Sequence, residues 1–164
     1  MKNWNFSHIK MVSVSLSAAT KEAAVRELAA FLKESPQINN FEKFVADVLE
    51  RERRQPTGVG HETAFPHART DSINKFVVVF GRAGNGIDFG AIDKKPARLI
   101  FLLGIPKFEI RGYLQVLGLL SRSLKNEKFR QKLLEAKDEK EIRQILVSMN
   151  EKQKTSAHKT HATA

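Results

Sequence analysis

Apolar residues recur at helical spacing near both ends of the chain and at strand spacing between them. Val12, Val14 and Leu16 give an imperfect alternation within Ile9–Leu16, which predicts a first strand. Thr20 is a suitable N-cap. Val25, Leu28, Ala29 and Leu32 then trace one face of an amphipathic helix that ends near Ser35-Pro36. Asn39 or Asn40 can cap a second helix carrying Phe41, Phe44, Val45, Val48 and Leu49 on one stripe. Arg51, Arg53 and Arg54 fall in its last turn, where cations favour the negative end of the helix dipole. Gln55-Pro56-Thr57-Gly58 breaks it.

The period then shortens. Residues 59–65 alternate and read as a second strand. Phe76-Val77-Val78-Val79, within Lys75–Phe80, is β-branched and compact, as a buried strand requires. Gly81 to Gly90 is glycine-rich and reads as a loop. Leu99-Ile100-Phe101-Leu102-Leu103, within Pro96–Gly104, is a further buried strand. From Ile110 the helical period returns through Tyr113, Leu114, Leu117, Leu120 and Leu124. Asn126 can cap a short helix with Phe129 and Leu133. Asp138 and Glu141 have capping-box spacing ahead of Ile142, Ile145, Leu146 and Met149. The order β-α-α-β-β-β-α-α-α predicts a single three-layer α/β/α domain with a mixed sheet over residues 1–150. Residues 151–164 are polar and unpatterned and are expected to be a disordered tail.

Composition narrows the picture modestly. The 164 residues suffice for one domain, and 41% hydrophobic with 28% charged residues suits a globular protein. No cysteine is present, which excludes disulfides, thiolate metal ligands and a thiol nucleophile. No apolar run approaches the ~20 residues needed to span a bilayer. The N-terminal residues lack the apolar core of a signal peptide. The expected location is the cytoplasm, without membrane insertion. The net charge of +10 would attract anionic partners. The charges are dispersed, however, and no aromatic-basic platform accompanies them, so nucleic acid is not an expected partner.

One stretch does not read as ordinary packing: Thr57-Gly58-Val59-Gly60-His61-Glu62-Thr63-Ala64-Phe65-Pro66-His67-Ala68-Arg69. Gly58 and Gly60 permit unusual backbone angles or close approach. Pro66 fixes its own φ and extends Phe65. His67 is thereby expected just beyond a rigid strand end. A neutral imidazole can be a base, a metal ligand or a phosphoryl acceptor. No His-Glu-x-x-His or Cys/His cluster supports a metal, and no Gly-x-Ser-x-Gly elbow supports a hydrolase. Phosphoryl acceptance asks only for an exposed imidazole, cationic donors and small residues nearby. Arg51, Arg69 and the N–H groups near Gly58 and Gly60 are candidate donors. On residues alone, a surface histidine capping a loop is the better reading of His67, and a helix-terminal cation is an open reading of Arg51.

Arg51-Glu52, Thr57-Gly58-Val59-Gly60 and Ala64-Phe65-Pro66-His67 together resemble the signature of enzyme IIA of the fructose/mannitol type. That family belongs to the bacterial phosphoenolpyruvate-dependent sugar phosphotransferase system and includes a nitrogen-regulatory branch. The resemblance runs from about His8 to Met149. It implies that His67 is phosphorylated by the histidine-containing phosphocarrier protein, that Arg51 steadies the phosphoryl group, and that Thr57 stands beside the site. It implies onward transfer to a IIB domain or, alternatively, regulation of a target protein according to phosphorylation state. No cofactor is implied, because the donor is another phosphoprotein. The family usually has a second active-site histidine before the leucine that opens the downstream helix. Tyr113-Leu114 stands at that place here. A phenol can donate a hydrogen bond to phosphate but does not act as imidazole does near pH 7.

Overall fold

A computed structural model of the chain describes residues 5, 6, 9, 11–13 and 15–149. The expected tail at 151–164 and His8, Val14, His158 and His161 lie outside the described residues. The elements in order are β1 (Met11–Ser13), α1 (Lys21–Ala30), α2 (Phe41–Arg54), β2 (Gly58–Gly60), β3 (Thr63–Ala64), β4 (His67–Thr70), β5 (Val77–Ile87), β6 (Ala97–Pro106), α3 (Ile110–Leu124) and α4 (Glu127–Glu135). A last helix, α5, covers 139–149.

The caps act where the sequence puts them. Thr20 accepts the Ala23 N–H at 3.2 Å, Asn40 that of Lys43 at 3.0 Å, and Asn126 that of Phe129 at 3.0 Å. Asp138 accepts the Glu141 N–H at 2.8 Å, and Glu141 reaches back to the Lys137 N–H at 2.7 Å. The bonds to Ala23, Lys43, Phe129 and Glu141 satisfy donors that the helices themselves leave orphaned, and the bond to Lys137 ties down the residue before the cap.

The sheet is mixed, in the order β1-β5-β6-β3-β2, with β4 pairing β6 farther along. β5 and β6 are antiparallel neighbours, while β1 runs parallel to β5 and both β3 and β4 run parallel to β6. Side-chain alternation divides the core into two layers. Val77 and Val79 of β5, with Ile100 and Leu102 of β6, join the apolar faces of α1 and α2. Val78 and Phe80, with Leu99, Phe101 and Leu103, join those of α3, α4 and α5. The fold is therefore the three-layer α/β/α domain with a mixed sheet that the patterning predicts.

The predicted element order needs correction between α2 and α3, where five strands stand instead of three. Residues 59–65 do not form one strand. His61 and Glu62 both take positive φ, 53° and 58°, and fold the segment into the β2–β3 hairpin. Tight hairpins need that left-handed pair, and the apolar alternation does not reveal it. β5 runs on through Gly81 to Ile87, so the glycine-rich stretch is mostly strand. At Gly81 a Cβ would come within 2.6 Å of Leu28, so its bare backbone admits α1 onto the sheet. His67 lies just beyond the end of β3, as expected, and is itself the first residue of a further strand. Leu114 leaves the predicted apolar face of α3 and is 62% exposed.

Candidate phosphoryl-transfer site

β4 is an edge strand, paired on one side with β6 through His67↔Leu103 to Thr70↔Pro106. Pro66 can donate nothing to the ladder, but its carbonyl accepts the Leu103 N–H at 2.9 Å. The proline thus costs the sheet no bond and separates β3 from β4. Ala64 and Ala68 face α1 and α2, while Phe65 faces the α3 side. His67, two residues on from Phe65, meets Tyr113 of α3, with ring centroids 5.4 Å apart.

The His67 ring has one available tautomer. Contrary to the expected surface imidazole, it is only 7% exposed, because Tyr113 packs against it, and Nδ1 lies 2.7 Å from the Phe65 carbonyl oxygen. A carbonyl only accepts, so Nδ1 carries the proton and donates it. The lone pair is then on Nε2, which accepts a hydrogen bond from the Tyr113 hydroxyl at 3.1 Å. Burial pushes the pKa of His67 below its ordinary value of 6.5. The bond to Phe65 opposes this, and the charge of Arg51 adds to it. The ring is therefore neutral at pH 7, with its nucleophilic nitrogen turned towards α3.

A chain of bonds from α2 holds the carbonyl that sets this tautomer. The Phe65 N–H donates to the Thr57 carbonyl at 3.1 Å, and the Phe65 ring packs edge-on to Phe101 at 6.0 Å. Thr57 is tied in turn to Glu52. Its N–H donates to Oε1 at 3.2 Å and its hydroxyl donates to Oε2. Glu52 is buried, and burial raises its pKa, against the pull of the Thr57 bonds and of the Lys21 and Arg51 charges. Thr57 therefore stands behind the site and does not line it. Glu52 is legible in the sequence as half of the Arg51-Glu52 step, and its place four residues after Val48 on the buried stripe of α2 is the signal of its role behind the site.

In front of His67 lies a pocket of about 430 Å³ between α2, β4 and the start of α3. Lys43, Arg51, Arg54, Arg69 and Lys107 line it, against the carboxylates Asp47, Glu50 and Asp71. The acids are largely engaged. Lys43 pairs with Asp47 at 2.7 Å and Asp71 at 3.1 Å, and Arg54 and Arg53 both pair with Glu50. Asp47 also accepts the hydroxyl of Thr70. Arg51 forms no ion pair among the described residues. Its Nη1 donates to the Gln55 carbonyl at 2.7 Å, which anchors the guanidinium beside the pocket. Arg69 lines the pocket too, with Nη2 on the Lys107 carbonyl at 2.8 Å. Such a cavity suits a tetrahedral anion delivered to Nε2, because a planar guanidinium matches its oxygens.

The glycine amides expected to help do not reach this pocket. The Gly58 N–H donates to Phe89 O at 2.9 Å, and a Cβ there would lie 2.7 Å from that oxygen. Gly60, at φ +84°, shapes the hairpin. His61 is exposed on that hairpin, its N–H bound to Asp93 at 2.9 Å. No group of three His, Cys, Asp or Glu side chains among the described residues could hold a metal ion.

Residues 5–149 match the model of the phosphoenolpyruvate-dependent sugar phosphotransferase system EIIA 2 family. The chain belongs to this family. A "PTS system fructose-specific EIIA component" from Haloferax volcanii is 37% identical over 143 residues, covering 87% of this chain and 93% of that protein. Among solved structures, the nitrogen regulatory protein IIA-Ntr of Neisseria meningitidis superposes with a TM-score of 0.76 at 26% identity. It covers 86% of this chain and 94% of its own. Escherichia coli enzyme IIAMTL, solved in complex with phosphorylated enzyme IIBMTL, gives a TM-score of 0.73 at 26% identity, covering 84% of this chain and 94% of its own. The EIIA 2 family is one of phosphocarriers and includes the nitrogen-regulatory branch, so both roles occur among proteins of this fold. No helix among the described residues is long and apolar enough to cross a membrane.

Proposed function

We propose that this protein is a phosphocarrier that accepts a phosphoryl group on Nε2 of His67 from the histidine-containing phosphocarrier protein and passes it to a IIB domain. The observation that carries this reading is the fixed tautomer. Nδ1–H is committed to the Phe65 carbonyl, which leaves the Nε2 lone pair beside a cation-lined pocket. Transfer of this kind needs positioning and charge stabilisation more than covalent partners. Arg51 stabilises the charge on the phosphoryl oxygens. Thr57 acts from behind, by holding Phe65.

The rim of the pocket suits a protein donor. Lys107 and Tyr113 form part of its wall, and the same segment exposes Phe108 (76%), Ile110 and Leu114. Exposed side chains of this kind, beside a basic cleft, give an incoming domain apolar surface to bury around the transferred group.

The test is intact-mass measurement after incubation with phosphoenolpyruvate, the general phosphotransferase enzyme and the phosphocarrier protein. One phosphoryl group is expected, acid-labile and base-stable, and absent from His67→Ala. Equal labelling of His67→Ala would overturn the assignment.

A second reading is a nitrogen-type regulatory module that binds a target according to its phosphorylation state without onward sugar transfer. Tyr113 at the Nε2 atom favours it, since a phenol there adds no second imidazole to relay the group. Rapid transfer from the phosphorylated protein to purified IIB domains would count against it.

A further inference from the structure

We propose that Tyr113 belongs to the transfer site and retains the phosphoryl group. Its hydroxyl, which donates to Nε2 of His67 in the unphosphorylated protein, donates to a phosphoryl oxygen once Nε2 carries the group. The inference rests on His67 as the phosphoryl acceptor.

The geometry leaves the hydroxyl few other places to go. Nδ1–H is fixed on the Phe65 carbonyl at 2.7 Å, so Nε2 has no proton and Tyr113 must be the donor in the 3.1 Å contact. The phosphoryl group arrives along the lone pair that this hydroxyl occupies. The Nε2 lone pair forms a bond to phosphorus. The N–P bond of the donor protein's phosphohistidine breaks, and the donor imidazole keeps that electron pair. No proton leaves His67, because its proton is on the other nitrogen. The hydroxyl is displaced by about the width of one atom, and the nearest new acceptors are the phosphoryl oxygens. The pocket in front of the ring has room for both groups.

Retention follows from how the phosphoryl oxygens move when the group leaves. In a loose transition state the three phosphoryl oxygens flatten towards metaphosphate and leave the positions they hold in the bound group. A donor with a fixed direction, matched to the bound group, therefore holds the ground state more strongly than the transition state. Tyr113 is well placed for this. Its ring is half-buried against the α3-side core and tilted 42° to the imidazole, so the hydroxyl has a defined direction. The expected result is a slow leak of the group to water and slow release to acceptors, the behaviour a phosphorylation-state signal requires.

Tyr113→Phe keeps the ring and removes only the donor. Both proteins are loaded on His67, once through the phosphocarrier system and once with the chemical donor phosphoramidate, and the loss of the group is followed by intact mass. A charge-assisted hydrogen bond of ordinary strength predicts that the phosphohistidine of Tyr113→Phe decays at least ~3-fold faster. In the unphosphorylated variant the Nε2 nitrogen resonance should move towards that of an unbonded imidazole nitrogen. The Nδ1–H signal, held by Phe65, should stay in place and report an intact site. A purely packing role for Tyr113 would move neither the lifetime nor the Nε2 resonance. Equal lifetimes in two labelled proteins would overturn the Tyr113 role and leave the phosphocarrier reading standing. Failure of both proteins to take up a group on His67 would overturn the phosphocarrier reading, and this one with it.

Discussion

His61 and His67 lie six residues apart in one glycine- and proline-marked stretch, yet the fold gives them opposite environments. His61 sits on the exposed tip of the β2–β3 hairpin with φ 53°, and its described bonds are made by its backbone, the N–H to Asp93 and the carbonyl from the Thr63 hydroxyl. His67 is buried, with both ring nitrogens engaged, Nδ1 by Phe65 and Nε2 by Tyr113. A histidine becomes a prepared nucleophile when its surroundings choose the tautomer and keep the ring neutral. The difference between the two histidines is supplied by their partners: a carbonyl held through Thr57 and Glu52 on one, and solvent on the other.

The sharpest separation is in labelling. His61→Ala should take up one phosphoryl group as wild type does, while His67→Ala takes up none, as read by intact mass. Loss of labelling in His61→Ala would erase the contrast.

The next effect concerns what stands behind His67. Glu52→Ala strands the Thr57 N–H and hydroxyl in a buried site, and is expected to cost about 1–3 kcal/mol. Glu52→Gln keeps an acceptor and removes a desolvated charge, so it should stay within about 1 kcal/mol of wild type. Urea unfolding at pH 7 measures both. If Glu52→Ala were as stable as Glu52→Gln, the Glu52–Thr57 anchor would carry no weight.

A smaller effect appears in pH dependence. The pKa of His67 is lower folded than its ordinary 6.5, so between those values the unfolded chain binds more protons than the folded one. Stability therefore rises with pH through that window, and falls as pH drops from 6.5 through the folded value. His67→Gln removes this component. Its stability relative to wild type should grow between about pH 7.5 and about pH 5.5, where an ordinary histidine titrates.

The smallest expected effect is at the hairpin. Glu62 holds φ 58° at the second turn position, where glycine has no Cβ to strain. Glu62→Gly should stabilise by about 0.5–1 kcal/mol, less whatever the 3.6 Å ion pair with Arg98 contributes, and leave labelling unchanged. Thermal melting read beside the mass assay checks both.

Much of this molecule is legible in its sequence. The helix caps at Thr20, Asn40 and Asn126, the buried cores of β5 and β6, and the Pro-His step all follow from local rules. Side-chain hydrogen bonds at caps and apolar periodicity depend on residues a few positions apart. The places where the reading falls short are long-range. The β2–β3 hairpin needs two left-handed residues that no turn-forming pair announces. The strand from Gly81 to Ile87 exists because β6 pairs with it and α1 needs a bare backbone at Gly81. Thr57 is read as a residue beside the site, but its hydroxyl turns to Glu52, because a buried carboxylate must be bonded.

By itself the sequence determined the domain class, the cationic last turn of α2 and the candidate histidine, since each is written in residue type and spacing along one segment. Only the tertiary structure decided which nitrogen of His67 bears the proton, which cations share its pocket, and that a tyrosine from α3 meets its lone pair. Those facts join residues as far apart as Arg51, Phe65 and Tyr113. Hydrogen-bond direction and local electric field act across a few ångströms of space, whatever the distance along the chain.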